Sequence, residues 1–230
     1  MSSVYRSRLL VAAPRMVDPN FDRTVVLVIE HKADEGALGV VINRPTEIEV
    51  RDVLERWADY AALSSPGVVF SGGPVSPGSA IGLSRLIPAP GRPGRGTVGE
   101  AGNPGGQAGV GGVGSAGSAG LPWSHPAAGS DTGESGTGRP IFDGVHVVDL
   151  GGDPDSSPGG IRPVRIFFGY AGWAPGQLEE EEGAGAWFVL DALPGDAFSS
   201  DPLRLWHDVL FRQGGELAMM ANYPPHPRLN

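Results

Sequence analysis

Short apolar runs closed by turn-forming residues dominate the first fifth of the chain. Residues 9–13 and 24–30 are rich in Val, Leu and Ile, and a polar turn around Asp18 and Asn20 separates them. A third run, residues 37–43, is entered at a glycine and closed by Pro45. Runs of this length between Gly, Pro, Asp and Asn are typical of buried strands, so the pattern predicts three strands here.

The spacing then changes to that of a helix over residues 49–57. Apolar side chains lie on one predicted face and charged side chains on the other, the apolar ones being Val50, Val53, Leu54 and Trp57. This arrangement is typical of an amphipathic helix. Two further apolar runs, 67–71 and 79–86, flank a Gly72-Gly73-Pro74 turn and predict another pair of strands.

The last third of the chain also contains both predicted strands and predicted helices. Strands are predicted at 145–150, 164–170 and 186–190, with a helix opening at Pro175 and an amphipathic helix over 203–212. Residues 216–230 contain several prolines, and we expect a flexible tail there. Strands outnumber helices and do not alternate with them regularly. The pattern therefore favours an α+β fold over a doubly wound sheet.

Composition changes this picture in one place. The chain has 37 Gly and 22 Pro in 230 residues, and 17 of the glycines fall between residues 88 and 140. Glycine recurs there at every third position, as in collagen, but Ala108 interrupts the period and proline is scarce. Such a segment buries too little apolar surface to order itself. We expect one domain over 1–87 and 141–215, interrupted by a disordered insertion at 88–140.

Charge and cysteine content exclude several classes of function. The net charge of −9 argues against direct nucleic-acid binding, because phosphate-binding proteins present a basic face. The absence of cysteine excludes disulfides, zinc–thiolate sites and a cysteine nucleophile. No apolar run is long enough to span a membrane, so we expect a cytoplasmic protein. No sequence signature predicts a metal or cofactor, and the oligomeric state is left open.

Candidate binding residues concentrate in loops at the ends of the predicted strands. The paired glycines at 72 and 73 suit an anion-binding nest. The segment that contains Tyr170 and Trp173 leads into the N-terminus of a predicted helix, which also favours anions. The candidates are Asp18, Arg23, His31, Asn43, Arg44, Ser71, Gly72, Gly73, Tyr170, Trp173 and Gln177. Structural roles are open alternatives: simple turns for the polar loops, core packing for the two aromatics, and a solvated helix face for the glutamates at 179–182.

Five of these segments, in order, resemble the AlgH/YqgE family of bacterial proteins. They are LVAAPRMVDPNFDRT from residue 10, Glu30-His31, GALGVVINRP from 36, FSGGPV from 70 and GYAGWAPGQLEEE from 169. The resemblance implies a cytoplasmic α+β domain whose bent, mixed sheet forms a pseudo-barrel flanked by helices. It brings no catalytic mechanism. One branch of the family carries a regulatory label, transcriptional control of exopolysaccharide production.

Three functions remain to be distinguished. The first is a non-catalytic module that binds a small molecule or a protein in a regulatory role. The second is a hydrolase-like enzyme using Glu30, His31 and Ser71, which requires the serine hydroxyl and the imidazole to lie within hydrogen-bond reach. The third is a transcriptional regulator that contacts DNA directly, which the acidic charge disfavours.

Overall fold

The computed structural model describes residues 4–16, 18–85, 139–156 and 163–224. The predicted insertion lies outside these residues, except for its last two positions. Arg139 and Pro140 begin a short strand and pair with Val147 and His146, so the insertion was predicted two residues too long. Proline is compatible with this position because the strand lies at an edge of the sheet.

Ten strands form one curled sheet within the described part of the chain. Their bounds are β1 (Arg8–Ala12), β2 (Val25–Lys32), β3 (Gly36–Val41), β4 (Pro45–Glu49), β5 (Val68–Ser71), β6 (Val75–Arg85), β7 (Arg139–Phe142), β8 (Val145–Val148), β9 (Val164–Trp173) and β10 (Trp187–Asp191). The main path runs β10-β1-β2-β3-β9-β6-β8-β7, and β4 and β5 branch from it. All pairs are antiparallel except β5 with β9. The predicted bent, mixed sheet of an α+β fold is confirmed, and it forms a half-barrel.

β9 is the strand that joins the two halves of the sheet. One of its edges pairs with β6 over residues 164–170. The other edge pairs with β5 over residues 166–168 and then with β3 over residues 171–173. The carboxyl ends of β3 and β5 therefore meet beside Gly169 and Tyr170.

Short helices cover the sheet. They are α1 (Val50–Val53), α2 (Ala58–Ala62), α3 (Gln177–Gly183), α4 (Leu205–Phe211) and α5 (Gly215–Ala221). The helix predicted over 49–57 is interrupted, because a 3₁₀ turn at Glu55–Trp57 separates α1 from α2. α5 lies in the tail that was predicted to be flexible; its sequence GELAMMA consists largely of good helix formers.

The central strands are buried on both faces. Leu9 and Val11 of β1 belong to the cluster that packs under α4, which includes Trp206. Leu10 and Ala12 belong to the opposite cluster, which includes Leu178 of α3. Burial on both faces explains why β1 and β2 are nearly continuous apolar runs rather than alternating ones. In the residues that the structure describes, no helix has the length and apolar character needed to cross a membrane.

Candidate functional site

The chain crosses closely over β9 between β5 and β6, and glycine makes this possible. β5 and β6 lie on opposite edges of β9, so residues 72–74 must pass over it. A Cβ atom on Gly72 would lie 2.3 Å from the carbonyl oxygen of Gly169, and one on Gly169 would lie 2.4 Å from that of Gly73. We call Gly72, Gly73 and Gly169 the glycine crossing. It accounts for glycines in two motifs that are about a hundred residues apart in the chain.

At the anion nest predicted for Gly72 and Gly73, the backbone amides of Ser71 and Gly72 are already hydrogen-bonded within the protein. The Ser71 amide donates to the carbonyl of Arg44 at 2.9 Å, and the Gly72 amide donates to that of Phe168 at 2.8 Å. The Gly72 carbonyl in turn accepts from the amide of Val41 at 2.8 Å. These backbone hydrogen bonds connect the ends of β3 and β5, so the two amides are not free to bind an anion.

A small cleft opens beside the glycine crossing. Its volume is about 80 Å³, and its lining is Asn20, Val41, Arg44, Ser71, Gly73 and Pro74. This volume admits one carboxylate or phosphate group, whereas a drug-sized ligand occupies about 300 Å³ or more. Among the lining residues, Arg44, Ser71 and Asn20 have side chains that can donate hydrogen bonds. These are hydrogen-bond donors of the kind that recognise anions.

Arg44 supplies the positive charge of the cleft and also holds the neighbouring loop. Its Nη2 donates to the carbonyl of Pro19 at 3.0 Å and to that of Asp22 at 3.2 Å. No other described residue accepts a hydrogen bond from its Nε or Nη1. Partial burial lowers the pKa of the Arg44 guanidinium, while the carboxylates of Asp22 and Asp18 oppose this shift. An anion in the cleft would compensate the same desolvation.

Asn43 and Arg23 are placed away from the cleft. Asn43 is buried, its Oδ1 accepts from the Val25 amide and its Nδ2 donates to the Arg23 carbonyl, both at 2.9 Å. It is therefore a brace between β2 and the preceding loop. The Arg23 guanidinium lies 4.7 Å from the centre of the Trp206 ring and donates to the carbonyl of Tyr223. Arg23 thus contacts the C-terminal helical region.

His31 belongs to a second polar cluster, against α3. Its Nε2 lies 3.1 Å from a carboxylate oxygen of Glu179, and its ring packs edge-on against Tyr5 with centroids 4.9 Å apart. The Tyr5 hydroxyl donates to Glu182. Burial, together with this carboxylate, raises the pKa of Tyr5 above its ordinary value. The glutamates of α3 are therefore not simply a solvated face, as the sequence alone allowed.

Glu181 is the centre of the same helix-to-sheet contact. One of its carboxylate oxygens accepts from the indole nitrogens of Trp173 at 3.0 Å and Trp187 at 2.7 Å. The other accepts from Gln177 at 2.8 Å. Trp173 is buried in the α3 cluster, and Tyr170 is buried in the cluster on the opposite face. Structural roles account for Tyr170, Trp173 and Gln177.

The hydrolase arrangement is not assembled. His31 of β2 pairs with Ala37 of β3, and Ala37 pairs in turn with Trp173 of β9. Ser71 of β5 pairs with Phe168 of β9. Five residues of strand separate those two positions, about 16 Å at 3.3 Å per residue. Glu30 is engaged by Arg139. In the described ranges there is also no group of three or more His, Asp or Glu side chains that could hold a metal ion.

The structure brings together only part of the predicted site. Arg44, Ser71 and Gly73 line the cleft, Gly72 lies buried beside it, and Asp18 holds the adjoining turn by accepting from the Asn20 amide at 2.8 Å. Sequence reasoning missed Asn20, Val41 and Pro74. The position of Asn20 next to Asp18, in a turn already singled out, was the available signal. Val41 and Pro74 line the cleft only because β3 and β5 end at the same point.

Comparison with known proteins gives one consistent result. A family model described as AlgH-like matches residues 9–95 and 142–218. A UPF0301 protein of Streptomyces avermitilis is 44% identical over 223 residues, covering 97% of this chain and 94% of its own length. A UPF0301 protein of Thermobifida fusca is 40% identical over 223 residues, covering 96% and 93%.

Two solved structures share the architecture. The crystal structure of a Corynebacterium diphtheriae protein matches with a TM-score of 0.69 and 26% identity, covering 96% of this chain and 94% of its own. The solution structure of the AlgH protein from Pseudomonas aeruginosa matches with a TM-score of 0.56 and 24% identity, covering 99% of both chains. The second likeness concerns the fold alone.

Proposed function

The chain belongs to the AlgH-like family, and from this premise we propose that it is a non-catalytic regulatory binding module that receives an anionic group in its cleft. The observation that carries the proposal is the position of Arg44 and Ser71. The half-buried Arg44 and the exposed Ser71 line one small cleft where two strands end. The proposed ligand is a small molecule with a carboxylate or phosphate group that seats there.

Several features support binding rather than catalysis. Ser71 has no general base in hydrogen-bond contact among the described residues, and His31 is engaged with Glu179 instead. Charge-assisted hydrogen bonds from arginine to carboxylate or phosphate are about twice as strong as neutral ones. Because the cleft admits only one such group, the remainder of the ligand would extend over the surface around Asn20 and Pro74.

A thermal-shift screen tests the proposal directly. Inorganic phosphate, acetate, succinate and nucleoside monophosphates are the probes, each titrated at constant ionic strength and confirmed by calorimetry. A ligand at 100 times its Kd adds about 2.7 kcal/mol to the free energy of unfolding, which is readily seen as a higher melting temperature. If none of these anions shifts the melting temperature or releases heat, the proposal fails.

Two variants locate the site once a ligand is found. Ser71→Ala removes one hydrogen bond and should weaken binding about fivefold, since such a bond contributes about 1 kcal/mol. Arg44→Gln keeps donors for the loop carbonyls but removes the charge, and it should weaken binding by about a hundredfold, since hydrogen bonds to charged groups contribute about 1.5–3 kcal/mol. Ser200→Ala, at an exposed serine outside the cleft, is the matched control. Unchanged affinity in both cleft variants would place the ligand elsewhere.

A further inference from the structure

Arg165 of β9 is a buried cation without a carboxylate partner in the described part of the chain. Its side chain is among the largest of the fully buried ones, with only 1% of the residue exposed. No acidic group within 4 Å forms an ion pair with it there, unlike Arg212, which pairs with Asp196 at 2.5 Å. Charged side chains are almost never fully buried unless they are paired.

The partners that Arg165 does have are neutral. Its Nη2 donates to the carbonyl oxygens of Ser65 at 2.8 Å and Ser199 at 3.0 Å. The guanidinium carbon lies 4.4 Å from the centre of the Phe70 ring, whose face carries partial negative charge. These groups reduce the cost of burying the charge, but none of them carries a formal negative charge.

Three buried polar atoms in this region remain without a hydrogen-bond partner. Two are the Nε and Nη1 of Arg165. The third is the hydroxyl of Ser64, which directly precedes the residue whose carbonyl the guanidinium binds. Buried donors nearly always have an acceptor in folded proteins, so the unused Nε and Nη1 of Arg165 indicate that a ligand or water completes their hydrogen bonds.

Electrostatics distinguish an anion from water as that missing partner. Desolvation lowers the pKa of Arg165 to about 10, which leaves the guanidinium charged at neutral pH. Water supplies an acceptor but does not neutralise this charge. An anion does both, and an uncompensated buried charge is strongly destabilising even after relaxation of the protein.

We propose that Arg165 and Ser64 form an internal site for a monatomic anion, of which chloride is the probe. The unused donors are closed off from solvent, so the smallest anions suit the position and phosphate or an organic carboxylate does not. The site lies at Arg165 near the start of β9 and is separate from the Arg44 cleft. Occupancy would stabilise the fold where β9, β5 and the segments around Ser65 and Ser199 meet.

Chloride titration of the intact protein tests this site. We expect the melting temperature to rise saturably when chloride replaces gluconate at constant ionic strength, and the chloride-35 resonance to broaden with added protein. At 100 times its Kd, chloride would shift the unfolding equilibrium about a hundredfold toward the folded state. An equal response to gluconate, or no excess broadening, would mean that water alone completes the site, and the proposal would be overturned.

Variants assign the effect to this position. Arg165→Met keeps the apolar stem and removes the charge, so the chloride response should disappear. Arg204→Met, at an exposed arginine, and Ser71→Ala, in the cleft, should retain it in full. If Arg165→Met does not fold, Ser64→Ala decides: a severalfold weaker chloride affinity supports the site, and an unchanged one refutes it. Weaker phosphate binding in Ser71→Ala with chloride binding intact would separate the two proposals.

Discussion

Tyr5 shows how a single, partly buried hydrogen bond couples the stability of this fold to pH. Its hydroxyl donates to Glu182, and its ring packs on His31. Burial and the carboxylate hold the pKa of Tyr5 above the ordinary value near 10. A pKa raised by folding contributes stability that is fully present below the unfolded pKa and is lost progressively as the pH rises from the unfolded pKa through the raised folded pKa.

Tyr5→Phe should therefore lower the free energy of unfolding at neutral pH. Above pH 10 the difference in unfolding free energy between the variant and the wild type should become smaller. We expect a loss of about 1–3 kcal/mol at pH 7, because the phenylalanine leaves the Glu182 carboxylate without this donor. Urea unfolding between pH 7 and pH 11.5 measures both effects. Tyr60→Phe removes a solvent-exposed hydrogen bond to Asp155 and should change stability less. A constant difference between Tyr5→Phe and wild type at all pH values would contradict this role.

At the scale of elements, Glu181 links α3 to two strands of the sheet, in addition to the buried Leu178 and the contacts of Glu179 and Glu182. Both indole nitrogens of Trp173 and Trp187 donate to the same carboxylate oxygen. Glu181→Ala leaves two largely buried donors unpaired, and we expect a loss of about 2–4 kcal/mol in unfolding free energy. Glu180→Ala is the matched control, since Glu180 is exposed on the same helix.

Tryptophan fluorescence during urea unfolding provides the measurement for this pair. The Glu181 variant should also show an altered native emission spectrum, because the hydrogen bonds of two indoles change. Equal stability of the Glu181 and Glu180 variants would show that the carboxylate does not hold the helix.

The glycine crossing makes an equally direct prediction. A Cβ at residue 72 would stand 2.3 Å from a backbone carbonyl, and that carbonyl belongs to a central strand that cannot easily move. Gly72→Ala should therefore cost about 1–3 kcal/mol or prevent folding. Gly183→Ala, at the exposed end of α3 with open space around it, should instead be neutral or stabilise by about 0.5–1 kcal/mol. Thermal melting of the two variants compares them, and a well-tolerated Gly72→Ala would disprove the close crossing.

Local signals in the sequence were sufficient for most elements but not for their contacts. The apolar runs located β1, β2 and β3, because strands buried on both faces carry their signal within a few residues. β4 and β7 were missed, since Pro45 and Pro140 each suggest a break when read locally. The helix at 177–183 was expected near its place, yet its glutamates could be assigned partners only once the sheet beneath them was known.

The candidate site was predictable only as a set of loops. Arg44, Ser71 and Gly73 share the cleft because β3 and β5 end side by side on β9, and that pairing joins residues about a hundred positions apart. His31 is as suitable a residue type as Arg44, but it lies on β2, two strands from β9, in register with Trp173 at the C-terminal end of β9. Residue type made both Arg44 and His31 candidate site residues, and only the long-range register of the strands shows that they lie in different places.

For the whole molecule, the net charge of −9 is the property with the clearest functional consequence. The acidic balance should repel the phosphates of DNA, so we expect no direct binding even at low salt, where electrostatic attraction is strongest. A gel-retardation assay in 50 mM salt with random and genomic fragments tests this, with a basic DNA-binding protein as the positive control. A salt-sensitive shift at micromolar protein would contradict it.

The position of β9 also has a consequence during synthesis. β9 pairs with β3, β5 and β6, all of which lie within residues 36–85, but it is itself made only after residue 163. At about 5–20 residues per second, the apolar strands at the N-terminal end wait several seconds on the ribosome before their central partner emerges. During that interval the nascent chain exposes unpaired strand edges, which are the surfaces that chaperones recognise and that aggregate when left unprotected.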